Sequence, residues 1–128
     1  MELSIPEGVE IVSNPIKLSF GQIEAKSLTD LHTTDNTIIV DSAKLKYPLV
    51  LRKWQANDRF RPFGMKGTRK VSDFFKDNHL TRFEKNEKWL LCNANGQIIW
   101  IVGMRMDDTF KVDKKSEHIT IIQYSVSD

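Results

Sequence analysis

The sequence predicts an α+β fold, mostly antiparallel β-sheet with one short helix packed on it. Three observations carry this. Short apolar runs with a two-residue period, many of them β-branched, recur along the chain. A single stretch, near residues 69–78, has apolar side chains at helical spacing instead. The size fits one domain: 128 residues with 40% hydrophobic and 28% charged side chains can bury a core of their own.

Taken in order, Val9–Val12 and Ile16–Phe20 read as short strands separated by Asn14-Pro15. Ile16, Leu18 and Phe20 alternate with Lys17 and Ser19, the pattern of a half-buried strand. Gly21 would then turn the chain into a third run, Gln22–Ala25. Ser27–Asn36 is polar, and Thr33-Thr34-Asp35-Asn36 suits an exposed turn. Thr37–Asp41 is a strand because Ile38, Ile39 and Val40 are β-branched. Asp41–Lys44 follows as a turn or one helical turn, and Pro48 opens a strand from Leu49 to Arg52.

Thr68 is placed to cap a helix from about Arg69 to Asn78. Val71, Phe74 and Phe75 form its apolar face, opposite Ser72, Asp73, Lys76 and Asp77. A helix so short must dock on a sheet to persist. Trp89–Cys92 and Gln97–Gly103 form a hairpin, with Asn95 and Gly96 supplying positive φ at its turn. Trp89, Leu91, Ile99 and Ile101 are expected on one face. Met104–Phe110 reads as a polar loop and His118–Tyr124 as the last strand.

The net charge of +2 conceals an uneven distribution. Residues 44–88 hold thirteen Lys/Arg against five Asp/Glu, for +8, whereas residues 1–43 hold two against seven, for −5. Such a local field suits an anionic partner, although a solvated lysine-rich surface gives the same count. The single cysteine, Cys92, excludes an internal disulfide and fits a reducing compartment. No apolar run is long enough to span a bilayer and the N-terminus lacks signal-peptide character, so the expectation is a soluble cytoplasmic protein without a membrane partner.

The positive charge is densest between Leu51 and Phe75. Arg59, Arg61, Lys66, Arg69 and Lys70 are the candidates for phosphate contacts, because guanidinium forks and ammonium groups match phosphate oxygens. Lys76, Arg82 and Lys85 could extend the same surface. Pro62, Gly64 and Gly67 would bend the loop and expose its N–H groups, leading into a helix N-terminus suited to phosphate. Trp54, Phe60 and Phe63 could stack on bases, but a domain of this size needs its aromatics inside. Asp58 is placed to hold an arginine or accept backbone N–H bonds.

Catalytic signatures are missing. Gly64 and Gly67 do not form a phosphate-loop motif, and His32, His79 and His118 lack metal-ligand spacing. Cys92 reads as a core residue, and Asp107-Asp108 as turn chemistry rather than a cation site. No catalytic or metal-binding residue is assigned.

One longer pattern remains. Trp54, Asp58-Arg59-Phe60, Pro62, Gly64-Met65 and Gly67 are followed by Lys70, Ser72-Asp73-Phe74-Phe75 and Asp77. Further on come Trp89, Leu91-Cys92, Trp100, Gly103, Arg105, Asp107 and Phe110. Over about residues 40–115 this spacing resembles the C-terminal domain of tRNA(Ile)-lysidine synthetase (TilS). Departures include Asn57 for a glycine and Leu80-Thr81 for an Ile-Pro pair; Asn57 would also accept positive φ. Thr109 stands where an arginine is common and takes no binding role.

The resemblance implies a fold similar to the editing-type domain of phenylalanyl-tRNA synthetase. It assigns residues 1–36 to a strand-rich segment of the C-terminal region and residues 37–128 to the tRNA-binding domain, the two forming one compact unit. The parent enzyme would use ATP and magnesium, in an N-terminal domain, to ligate lysine to the wobble cytidine of the CAU anticodon. That domain's Ser-Gly-Gly-x-Asp-Ser loop does not occur in these residues. What remains would grip the acceptor stem of isoleucine tRNA and contact other domains of the same enzyme, with no cofactor of its own. Two other readings compete: an intramolecular docking module with an apolar patch near Trp54 or Phe63, and a small hydrolase around Asp73 and His79.

Overall fold

A computed structural model describes residues 2–126. Two antiparallel sheets and a helical layer stack around two cores. The first sheet is ordered β1 (Glu2–Ile5), β5 (Leu49–Lys53), β8 (Trp89–Cys92), β9 (Ile98–Ile101) and β10 (Arg105–Met106). The second is ordered β2 (Ile11–Val12), β3 (Lys17–Glu24), β11 (His118–Ser125) and β4 (Thr37–Asp41). A separate two-stranded ribbon, β6 (Arg59–Phe60) with β7 (Arg69–Lys70), leads into helix α1 (Val71–Asp77) and then α2 (Arg82–Glu87).

The fold class is the one expected, but among the described residues there are two short α-helices rather than one. Among the described residues, no helix is long and apolar enough to cross a membrane.

Between the sheets lie Leu18, Ile38, Val40 and Ile122 from one side and Leu49, Leu51, Leu91 and Trp100 from the other. On the far face of the first sheet, Leu90, Cys92, Ile98 and Ile101 meet Phe60, Val71, Phe74 and Phe75. This explains the unbroken apolar run of β8: both of its faces are covered. Each large side chain buried this way contributes roughly 2–3 kcal/mol.

Several local expectations change under tertiary pairing. Gly21 does not turn the chain; β3 runs straight through it because β11 supplies a partner for every residue from Lys17 to Glu24. Of the Val9–Val12 run only Ile11 and Val12 pair. Ile101 leaves the face of Trp89 and Leu91. Cys92 pairs with Ile98 but Leu91 with Trp100, so Ile99 is an extra residue that reverses the facing of β9. At the hairpin turn only Gly96 has positive φ, 92°; Asn95 does not share it. Gly96 N–H donates to the Asn93 carbonyl and Asn93 N–H to Gln97, a three-residue loop closed by a left-handed glycine.

The helix is shorter than its periodicity suggests. Arg69 and Lys70 are strand residues, Lys70 is the cap position, and it makes no side-chain cap bond. Thr68 therefore caps nothing; its hydroxyl accepts from Arg59 Nη2 at 3.4 Å. Val71, Phe74 and Phe75 do form the buried face. The Leu80-Thr81 departure has a structural use, since Thr81 caps α2 in a reciprocal box with Glu84. Met104–Phe110 is not simply a polar loop: Met106 and Phe110 enter the first core.

Candidate nucleic-acid interface

The basic stretch is held at its start by Asp58. Its carboxylate accepts both arms of the Arg52 guanidinium, at 2.8 and 2.9 Å, and the Gln55 N–H at 2.6 Å. Both side chains of the pair are largely buried, at 14% and 11% exposure. The bond to Asp58 raises the Arg52 pKa above its ordinary value. The Asp58 carbonyl accepts the Val71 N–H at 2.9 Å, which ties the strand entry to the start of α1. That bond, and a helix of seven residues, leave no N-terminal phosphate site of the kind the sequence suggested.

From Asp58 the chain alternates. Phe60 and Pro62 turn inward and are buried, while Arg59 and Arg61 are exposed. Across the ribbon Arg59 stands opposite Lys70, and Phe60 opposite Arg69. Phe60 packs edge-on against Phe74 with centroids 5.2 Å apart, and Trp54 against Phe75 at 5.4 Å. These aromatics belong to the core, as does half-buried Phe63.

The far side of the loop is clamped by residues that the sequence reading treated as turn chemistry. Asp107, 4% exposed, accepts the Arg61 N–H at 2.9 Å and the Thr109 N–H at 2.7 Å. Asp108 donates its N–H to the Arg61 carbonyl at 2.7 Å, and its carboxylate accepts the Gly64 N–H at 3.1 Å. Phe63 N–H donates to the Met106 carbonyl at 2.9 Å, and Arg105 reaches the Phe63 carbonyl at 3.3 Å. Burial opposes ionisation of Asp108, but the Gly64 N–H and Lys111 outweigh it and hold the carboxyl below its usual value.

Consequently the N–H groups of Arg61, Phe63, Gly64 and Met65 are used internally and do not face a ligand. The glycines act as hinges for the bend, with φ of 83° at Gly64 and 77° at Gly67. Asn57 does not adopt positive φ; His79, at 57°, is the non-glycine residue that does among those described.

The charged side chains divide into three groups. Arg59, Arg61, Lys66 and Lys70 are exposed on the ribbon and its loop, and among the described residues none pairs with a carboxylate. Arg69 differs: its Nε donates to Asp77 at 2.6 Å, binding the ribbon to α1. Lys76 lies on the outer side of α1 beside exposed Asp73, while exposed Arg82 and half-buried Lys85 stand on α2.

Arg59 facing Lys70 is an unfavourable arrangement on its own, since like charges directly opposite across a strand pair repel. Sequence reasoning missed Arg52, Arg105, Asp107 and Asp108 as supports. Their partners lie up to 46 residues away and leave no local signal.

Other chemistry is not assembled. Cys92 is buried and its thiol is pushed up to about 11 by that burial, so it is not a ready nucleophile. Asp73 and His79 are exposed on α1 and in the turn after it. Among the described residues no three His, Cys, Asp or Glu side chains group around a metal position.

Residues 49–123 match the family described as the TilS substrate C-terminal domain. The tRNA(Ile)-lysidine synthase of Parabacteroides distasonis is 38% identical over 86% of this chain and 25% of its own length. That of Caldanaerobacter subterraneus subsp. tengcongensis is 32% identical over 96% of this chain and 26% of its own. The chain thus spans about a quarter of the length of these two curated relatives.

Among solved structures, a TilS C-terminal domain crystal structure superposes with a TM-score of 0.79 at 19% identity, covering 100% of this chain and 99% of that one. An N-terminal fragment of the phenylalanyl-tRNA synthetase β-subunit from Pyrococcus horikoshii gives 0.59 at 18% identity, over 70% of this chain and 28% of that one. At such identities these two likenesses concern the fold.

Proposed function

The chain belongs to the TilS substrate C-terminal domain family, and from that premise we propose that it grips the acceptor stem of isoleucine tRNA for a lysidine-forming ligase. The parent enzyme would join lysine to the wobble cytidine with ATP and magnesium in another domain. This piece would supply only the hold on the tRNA.

The observation that carries the proposal is the set of cations Arg59, Arg61, Lys66 and Lys70, without carboxylate partners among the described residues, on a ribbon fixed from beneath. Duplex RNA is recognised largely through its phosphates and 2′-hydroxyls, so a rigid cationic face suits it better than a pocket would. Two residues along a strand advance roughly 6.6 Å, so Arg59 and Arg61 can address separate phosphates. Arg69 is assigned to positioning, because Asp77 already occupies its guanidinium.

The test is a salt titration of the chain against an acceptor-stem minihelix and a charge-matched RNA. Replacing Arg59, Arg61, Lys66 and Lys70 by Ala should abolish tight binding, and each single change should lower the salt slope by about one. Arg69→Ala should change that slope least. Absence of binding at low salt would assign the basic face to docking against another domain of the same enzyme. Equal affinity for both RNAs would leave a non-specific RNA grip.

A further inference from the structure

Helix α2 forms although none of its residues is fully buried. Its start is fixed by the Thr81–Glu84 box, with bonds of 2.8 and 3.1 Å, and its end by Lys53, whose ammonium donates to the Asn86 carbonyl at 2.8 Å. Lys53 is itself held over the Trp89 ring at 4.2 Å. The helix therefore does not exist to cover the core. What it displays is Phe83, 73% exposed, the most exposed of the large apolar side chains described.

The surroundings of Phe83 decide what could meet it. Its helix neighbours Arg82, Glu84, Lys85, Asn86 and Glu87 are all polar, so the helix itself gives the ring no apolar rim. Protein-binding anchors sit within packed, water-excluding surroundings, which this ring lacks. A nucleobase needs only one aromatic face and nearby positive charge. Arg82, the preceding residue, supplies that charge without a carboxylate partner among the described residues; Lys85, two positions on, faces another side of the helix. The Glu84 carboxylate is occupied by the cap, and Glu87 lines a cavity with Pro15, Trp89 and Tyr124.

We propose that Phe83 is a stacking platform for an unpaired RNA base flanking the duplex, with Arg82 contacting a phosphate beside it. This rests on the RNA-binding reading above and adds to it a single-strand contact on an element separate from the cationic ribbon.

The test uses a minihelix with a short unpaired overhang, carrying 2-aminopurine at one overhang position at a time, and the same duplex made blunt. Wild-type chain should quench the fluorophore at one position. Phe83→Ala should lose the quenching and bind the overhang RNA about 5- to 150-fold more weakly, with blunt-duplex binding unchanged. Phe83→Trp should retain both.

If Phe83→Ala matches wild type on the overhang RNA, or weakens both RNAs equally, stacking is overturned and the duplex grip stands. The same follows if Phe83→Leu quenches as well as wild type. Wild type binding neither RNA overturns both readings.

Discussion

Lys70 shows how a single residue can oppose stability while suiting a partner. It stands opposite Arg59 on the exposed ribbon face, and among the described residues neither cation forms an ion pair with a carboxylate. Lys70→Thr should therefore raise the unfolding midpoint, by a few tenths of a kcal/mol, while weakening RNA binding. A urea titration and a binding isotherm on the same variant check both signs. Asp58 has the opposite character. Removing it leaves the Arg52 fork largely buried without its counter-ion, and Asp58→Ala should cost about 3 kcal/mol, read as a lowered urea midpoint. An unchanged midpoint would mean that Arg52 finds water or another acceptor. Asp58 was legible as an arginine holder from its position before Arg59. Which arginine it holds was not, because Arg52 reaches it only through the turn at Gln55–Asp58.

Among the elements, the ribbon depends on the segment from Arg105 to Lys111, and this dependence responds to acid. The Asp108 carboxyl is held below its usual value in the folded chain by the Gly64 N–H and Lys111, against the opposing effect of burial. A depressed folded value means that its contribution is complete above the unfolded pKa, about 3.9, and fades as pH falls through the lower folded value. Hydrogen exchange at the Gly64 amide, corrected for intrinsic rates, should therefore accelerate below about pH 4, and Asp108→Asn should remove that step. A pH-independent protection factor would show that the carboxylate is not what holds the loop. Strands such as Thr37–Asp41 and the hairpin around Gly96 were readable because their signals are local. The end of β7 was not. Arg69 and Lys70 have helical neighbours in sequence, yet Arg59 and Phe60 recruit them into a ribbon.

At the scale of the molecule, strands from the N-terminal segment enter both sheets. Glu2–Ile5 pairs with β5, and Lys17–Glu24 pairs with β11 along its whole length. A chain truncated to residues 37–128 would expose Leu49, Leu51 and Ile122 where Ile5, Val12 and Leu18 now pack. It should lose cooperative unfolding, whereas the intact chain should show one transition in circular dichroism. A cooperative transition in the truncated chain would show that residues 1–36 are dispensable. The sequence revealed the strands and the family spacing but not the sheet order, because strand partners far apart in the chain share no periodic signal. The position of β11 has a kinetic consequence. Residue 17 must wait for residue 125 before its strand is enclosed. Loop-closure entropy makes such distant pairings slow. During synthesis from the N-terminal end, β3 is an open edge for nearly the whole length of the chain. A nascent domain of this design is most exposed to chaperones, and to neighbouring nascent chains, just before its last strand arrives.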